Sequence, residues 1–497
     1  MPCVVKVSNV VDGEITPGKG MGRRISRRIE FQDLPYHDRF ADKYWNERTY
    51  DAESQGTYFG KLLVRNNYKF EGSVIRVKAG YLTQPFDSAI FETRTYVVDK
   101  VEFTNNKVVL TVTDFLRLAD NTKVKVPALS TGSLSADITS GATSLTLIPA
   151  GIGNSEYAAS GTFRINDELM AFTRSADVCT LTRAQGGTTA DAHSQDDTVQ
   201  ECYVKTLANV VDVIYELLNT YVGINASYLP LATSWEDEKA LWLVSADASG
   251  TVSEPTGVLE LLTELCLEFN LNIWWDDRSQ EITLKANMPL SPGQTAATLT
   301  EAYELIDGSV KTKDIVKDRI TRVWVLWNPR NLVELEENKD YANWYVNPLT
   351  ENLYNTDNIR IIRSRWITSE GQAAGLAGRQ LSRFKQTTKR ITFQLDAKDA
   401  ALMVGDTKIL DTKEIQNAEG GNAAHRVQIV AMTETKDGDT FSVTAVSSYF
   451  SSRYAFITQS GASDYSSATD NEKALGGYIS ETAGANFSDG TEPYRIP

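Results

Sequence analysis

The stretch TYVVDKVEFTNNKVVLTVTD, Thr95–Asp114, decides the fold class of this chain. Thr95–Phe103 and Lys107–Asp114 are both dominated by β-branched and aromatic side chains, which suit a pleated, half-buried surface. Thr104-Asn105-Asn106 between them provides the turn, since asparagine tolerates positive φ. The pattern predicts an antiparallel hairpin. Upstream, Thr57–Asn66 (TYFGKLLVRN) and Ser73–Lys78 (SVIRVK) have the same texture and read as further strands. Residues 1–128 are therefore expected to form an antiparallel β-barrel-like domain.

Working outward, the texture changes at Leu129. The run LSTGSLSADITSGATSLTL is small and polar, and residues 129–203 read as a small inserted β-domain. Its expected strands are Thr162–Arg174 and Val178–Arg183, joined at Ser175-Ala176-Asp177. Residues 204–307 read as an α/β domain. Thr206–Val222 sets Val210, Ile214, Leu217, Leu218 and Tyr221 on one helical face. Val258, Leu261, Leu262, Leu265 and Phe269 form a second such face after Glu254-Pro255, and Asn272–Ala286 reads as strand, turn, strand. Residues 308–460 return to strands: Arg319–Trp327, Ile391–Leu395, and His425–Met432 paired with Phe441–Val446 across Asp437-Gly438-Asp439. One helix interrupts them, opened by Ser369 and Gln372 as a capping box and carrying Ala373, Leu376, Ala377, Leu381 and Phe384. Residues 461–497 lose all pattern and read as a flexible tail dotted with Tyr465, Tyr478, Phe487 and Tyr494. The expected fold class is β-rich α+β, with two β-barrel-like domains flanking a small inserted β-domain and an α/β domain.

Composition narrows function. The chain has 497 residues, 41% hydrophobic and 23% charged, with a net charge of −15. Nucleic-acid binding depends on cations that replace phosphate counterions, so a balance this acidic predicts no strong binding. It suits a surface past which DNA slides without sticking. No apolar run is long enough to span a bilayer, and the start lacks the charged-then-apolar pattern of a signal peptide, so synthesis in a cytoplasm is expected. Cys3, Cys179, Cys202 and Cys266 form no C-x-x-C pair and read as buried thiols.

Candidate chemistry is sparse. His193 lies among Asp191, Asp196 and Asp197, downstream of Gly186-Gly187. With no second histidine nearby, the group reads as a polar turn bent by the glycines, and replacing His193 should leave assembly nearly unchanged. The Gly-Gly-Thr-Thr run lacks the lysine and following helix of a phosphate loop. His37 next to Asp38 has no serine partner context. Trp274-Trp275-Asp276-Asp277 suggests sugar stacking with a carboxylate pair. Adjacent aspartates on a strand point to opposite faces, so a hairpin turn with one Trp buried and one at a surface or interface is expected. The basic run GRRISRR, Gly22–Arg28, is expected to pair with acidic neighbours. The residues predict no enzyme, no catalytic or metal-binding residues and no cofactor.

Three blocks in order resemble a known family. FGKLLVRNNYKFEGSVIRVKAGYL with YVVDKVEF and VTDFLRLAD is similar to the first domain of tail-tip (baseplate) hub proteins of long-tailed, siphovirus-like bacteriophages. INDELMAFTR followed by LTRAQGGTTADAHSQDDTVQ resembles a small β-cassette of phage tail proteins, and RIIRSRWI, Val404-Gly405-Asp406 and SSRYAFI resemble the closing barrel. The resemblance spans about residues 20 to 458 and lies in packing and turn patterns. It implies two tail-tube-type domains, a homotrimer making a pseudo-sixfold ring, and a virion protein at the tail tip. Such a hub caps the tail tube, contacts the distal tail protein, the tape measure protein and a central tail fibre or spike, and opens for DNA ejection. The tail aromatics Tyr465, Tyr478, Phe487 and Tyr494 are then the expected fibre-docking residues. No small-molecule substrate is implied, and the cysteine cluster of iron–sulfur-binding relatives is missing. The alternatives are a carbohydrate-binding or cell-wall-degrading protein, and another tail component such as a distal tail ring.

Overall fold

The computed structural model describes residues 3–8, 14–18, 20–22, 24–35, 47, 56–65, 70–80, 91–104, 106–290, 295–348, 358–399, 401–436, 439–448, 463 and 465–475. Cys3–Val7 (β1), Ser26–Gln32 (β2), Val74–Ala79 (β3), Glu92–Thr104 (β4) and Lys107–Thr113 (β5) form an antiparallel sheet in the order β1-β2-β5-β4-β3. The hairpin read from Thr95–Asp114 is β4–β5, with Asn106 at φ 62° in its turn. Thr57–Asn66 departs from expectation: Tyr58–Arg65 is a helix, α1. Phe59 and Leu62 stand three residues apart and pack together on the core, a helical spacing that aromatic and β-branched content hides. Asp33 fixes the helix start, accepting from the Phe59 amide at 3.0 Å and the Thr57 hydroxyl at 2.6 Å.

After Lys125–Val126 (β6) come Ser133–Leu134 (β7), Ser144–Ile148 (β8), a short helix Ile152–Glu156 (α2), Ser160–Ile165 (β9), Glu168–Ser175 (β10), Val178–Gln185 (β11) and Gln200–Glu201 (β12). They build a sheet ordered β12-β9-β10-β11-β8-β7 with its own core, in which Phe163 stacks on Phe172 with ring centroids 3.5 Å apart. Thr162–Arg174 is two strands and not one, because Asn166, at φ 51°, turns the chain with Asp167. Gln200 joins the two ends of this unit: its amide nitrogen donates to the Ala128 carbonyl at 2.9 Å and its oxygen accepts from the Ser130 amide at 3.1 Å.

The middle of the chain contains Tyr203–Asn209 (β13), Val210–Glu216 (α3), Ser234–Trp242 (α4), Asp247–Val252 (β14), Thr256–Gly257 (β15, paired with β6), Val258–Glu268 (α5), Leu271–Asp276 (β16) and Glu281–Ala286 (β17). The helix expected from Thr206 begins at Val210. Residues 203–209 are claimed by pairing with β14, and Asn209 caps α3 by accepting from the Val211 amide at 3.0 Å. One continuous core joins this segment to the first sheet, packing Tyr96, Val108 and Phe115 with Val210, Leu261 and Trp275.

Next come Thr298–Thr300 (β18), Lys311–Ile315 (β19), Arg322–Pro329 (β20), Tyr341–Pro348 (β21), Ile359–Arg363 (β22), Glu370–Phe384 (α6), Thr388–Asp396 (β23), Thr407–Asp411 (β24), His425–Lys436 (β25) and Thr440–Ser447 (β26). Ser369 caps α6 as expected, its hydroxyl accepting from the Gln372 amide at 3.3 Å, but the capping box is only half formed, because the Gln372 side chain donates to the Asp247 carbonyl at 3.0 Å instead. Strands β21-β20-β22 form a sheet whose inner face packs on α6. The rest form a sheet ordered β18-β24-β25-β26-β23-β19. Apart from the added β18, this sheet repeats the first one. Numbered along the chain, both have strand order 1-2-5-4-3 with every neighbouring pair antiparallel. The register repeats as well. Gln32 pairs with Lys107, and Asp396 pairs with Thr440, so in each sheet the last residue of strand 2 faces the first of strand 5. A bulge in the fourth strand falls opposite the fifth and sixth residues of the last strand both times, between Val98 and Lys100 against β5 and between Ile429 and Ala431 against β26. Past residue 460 the chain is not patternless throughout: Asp470–Leu475 is a helix, α7, resting against α4.

Candidate functional site

His193 is buried, and its partner is none of the neighbouring aspartates. Its Nε2 stands 2.9 Å from Glu168 Oε2, while its backbone pairs with Ile138, so it is an interior residue and not a turn residue. Arg183 closes the group, its Nε and Nη2 donating to the two Glu168 oxygens at 2.8 and 2.6 Å. The amides of Ala184 and Asp191 donate to the same carboxylate. Burial raises the Glu168 pKa, but the bonds from Arg183, Asp191, His193 and Ala184 outweigh it and hold the group at about 2. Sequence reading missed Glu168, which lies 25 positions from His193, at the start of β10. Gly186 and Gly187 do bend the chain, at φ 60° and 79°, and also let it touch the β20–β21 connection. Leu332 donates to the Gly186 carbonyl at 3.0 Å, and a Cβ on Gly187 would lie 1.8 Å from the Arg330 oxygen.

The Trp-Trp-Asp-Asp run closes a hairpin as expected, with Asp276 accepting from the Arg278 and Ser279 amides in its turn. Both tryptophans are buried, and the one expected at a surface or interface lies at an internal contact. Trp275 packs on Phe115 and Tyr228; Trp274 packs with Ile15, Val430 and Val446. Asp277 is buried too. It accepts from the Tyr96 hydroxyl at 2.7 Å and lies 3.6 Å from Arg94 Nη1, which reaches Glu434 at 3.2 Å. Burial raises the Asp277 pKa against the pull of Arg94 and Tyr96, and burial likewise raises the Tyr96 hydroxyl. With Asp276 spent on a turn and Asp277 locked under Tyr96, the two carboxylates do not face one bond. The group ties β4, the β16–β17 hairpin and β25 together.

Arg24 and Arg28 pair with acidic neighbours as expected, with Asp120 at 2.7 Å and Glu102 at 3.6 Å. Arg27 is buried and donates to the Ser8 carbonyl at 2.8 Å. Arg23, His37, Tyr478, Phe487, Tyr494 and the SSRYAFI segment lie outside the described residues. His425 stands 2.9 Å from the Ser447 hydroxyl, and burial, then Lys389, lower its pKa. Cys179, Cys202 and Cys266 are buried free thiols, and burial pushes the first two up to about 11 and about 12. Tyr465, one of the expected fibre-docking residues, is buried, with Lys473 4.6 Å above its ring. Among the described residues no group of three or more His, Cys, Asp or Glu is placed to hold a metal ion.

Among the described residues two apolar surfaces stand out, neither legible in the sequence. The outer face of β21-β20-β22 carries Trp344, 70% exposed, with Val346, Ile359 and Ile361 around it. A cleft of about 560 Å³ lies over α6, lined by Leu207, Trp242, Val244, Phe269 and Ile367 among others.

No family model and no curated protein matches the chain. Several solved structures align with most of its length. The 43 kDa tail protein of prophage MuSo2 from Shewanella oneidensis is 9% identical over 89% of this chain and 96% of that one, with a TM-score of 0.40. A tail protein from Neisseria meningitidis MC58 is 10% identical over 88% and 91%, with a TM-score of 0.38. The prophage tail protein gp18 from Listeria monocytogenes EGD-e is 8% identical over 87% of each chain, with a TM-score of 0.36.

Proposed function

We propose that this chain is a structural virion protein, the hub at the tip of a bacteriophage tail. Three copies would form a ring that caps the tail tube, meets the distal tail protein and the tape measure protein, bears a central fibre or spike, and opens for DNA ejection. The observation that carries this reading is the internal repeat. A chain holding two sheets of one strand order, one register and one bulge position offers two equivalent wall units, so three chains supply six. The net charge of −15 suits a passage that DNA crosses without sticking. The mass of the purified assembly tests the reading, together with images of whole particles labelled on this chain. A trimer mass and label at the tail tip are expected; a hexamer, or label along the shaft, overturns it.

A further inference from the structure

The outer face of β21-β20-β22 is apolar and open at its edge strands: Leu326 in its centre is buried, while Trp344, Val346, Ile359 and Ile361 around it are exposed. Registration sets Val346, Trp324 and Ile361 in one cross-strand row and Trp344, Leu326 and Arg363 in the next. Trp344 is 70% exposed at the rim of this face, Ile359 44% and Ile361 42%. A tryptophan so placed, with aliphatic neighbours, marks a contact surface and not chance exposure.

The second apolar surface lies on the opposite side of the same layered unit. Ala373, Leu376, Ala377 and Leu381 turn one side of α6 to the inner face of the sheet. Gly371, Gly375 and Arg379, spaced by four, form the other side and line the cleft of about 560 Å³. Glycine is a poor helix former, and no packing among the described residues requires it here. A Cβ at Gly371 would meet no atom within 4 Å, and one at Gly375 only the end of Arg379 at 3.8 Å. The bare helix surface leaves the cleft open. Leu207 and Val244, both largely exposed, stand on its rim, and Leu207 is held at φ 48°. The cleft has the size of pockets that take a bulky apolar group, roughly 300–1,000 Å³. Arg363 borders the exposed face, and Asp247 lies in the cleft wall, where Arg379 is turned back onto the Gly375 carbonyl at 3.2 Å.

We propose that copies of this chain associate head to tail, with Trp344 of one copy entering the cleft over α6 of the next. A knob and a hole on opposite sides of one unit make a heterologous contact, which closes into a ring when the rotation allows. The inference rests on the ring reading above, for which it supplies a subunit contact.

The test compares full-length wild type, Trp344→Glu and Gly375→Leu by sedimentation, with circular dichroism to check the fold. Trp344 is exposed and leucine is a good helix former facing open space, so both variants should stay folded. Each alone is expected to fall to monomer at concentrations where wild type is assembled, at least a hundredfold weaker in self-association. Mixed together they should form one-to-one dimers and nothing larger, because only the Gly375→Leu knob and the Trp344→Glu cleft remain. A folded Gly375→Leu protein that assembles like wild type overturns the contact in favour of face-to-face pairing of the outer sheets. Wild-type trimers with both variants still trimeric sink this contact and leave the hub reading standing. A wild-type hexamer sinks the hub reading, while the variants still decide the contact.

Discussion

Arg94 and Glu434 stand 3.2 Å apart with both side chains buried, and they belong to β4 and β25, the fourth strands of the two sheets that share one plan. The repeats are thus locked to each other through equivalent elements, with Asp277 and Tyr96 completing the junction.

Arg94→Met should lower stability by roughly 3–5 kcal/mol, because it takes a buried cation away from two buried carboxylates. Arg94→Met combined with Glu434→Leu should recover part of the loss, since one of the two buried carboxylates then leaves the interior. Urea unfolding of both proteins checks this. Equal stability of the single variant and wild type would show that the junction contributes nothing.

Glu168 predicts a pH dependence for the cassette. Its carboxyl sits at about 2 in the fold against an ordinary 4.5, so the fold binds this proton less readily than the unfolded chain does. The resulting stability is fully present above pH 4.5 and is lost as pH falls toward 2. Glu168→Gln should be less stable than wild type at neutral pH, with a shallower fall on acidification. Denaturation followed at several pH values reads both slopes, and parallel slopes would defeat the assignment.

His193→Ala should cost about 1–3 kcal/mol, because it removes a buried bond to Glu168 and leaves one acceptor site of that carboxylate unfilled. A histidine in an exposed turn would change stability by no more than about 0.5 kcal/mol. Thermal melting separates the two outcomes.

Asp33→Ala should cost about 0.5–2 kcal/mol, the range for losing a helix cap, and should loosen α1 first. Hydrogen exchange at the amides of α1 gives the local reading. Unchanged protection at Phe59, whose amide bonds to Asp33, would disprove the role.

How much was legible in the sequence varied with the range of the forces involved. Strands with clean alternation, such as Ile391, Phe393 and Leu395, and the helix opened by Ser369 are set by neighbours a few residues away, and their patterns show directly. Tyr58–Arg65 misled because its cap is Asp33, outside the segment. Tyr203–Asn209 misled because its pairing partner, β14, lies some forty positions on. The ionic clusters failed for the same reason: Arg94 and Asp277 are 183 positions apart, as 277 − 94 shows, and only the folded sheets bring them together. The exposed tryptophan and the glycine-lined cleft had no signal at all, since a window of sequence does not record which side of a strand or helix the rest of the chain leaves uncovered.

The hydrogen bonds that Gln200 makes to Ala128 and Ser130 have a topological consequence. The chain enters and leaves the six-stranded unit at nearly one point, with the Glu201 amide donating to the Ser130 hydroxyl at 3.1 Å. A module inserted through so narrow a doorway imposes almost no loop-closure cost on its host. The position is a splice site: excising the module calls for a stitch of a residue or two, and a foreign domain with adjoining ends can be seated there as a reporter.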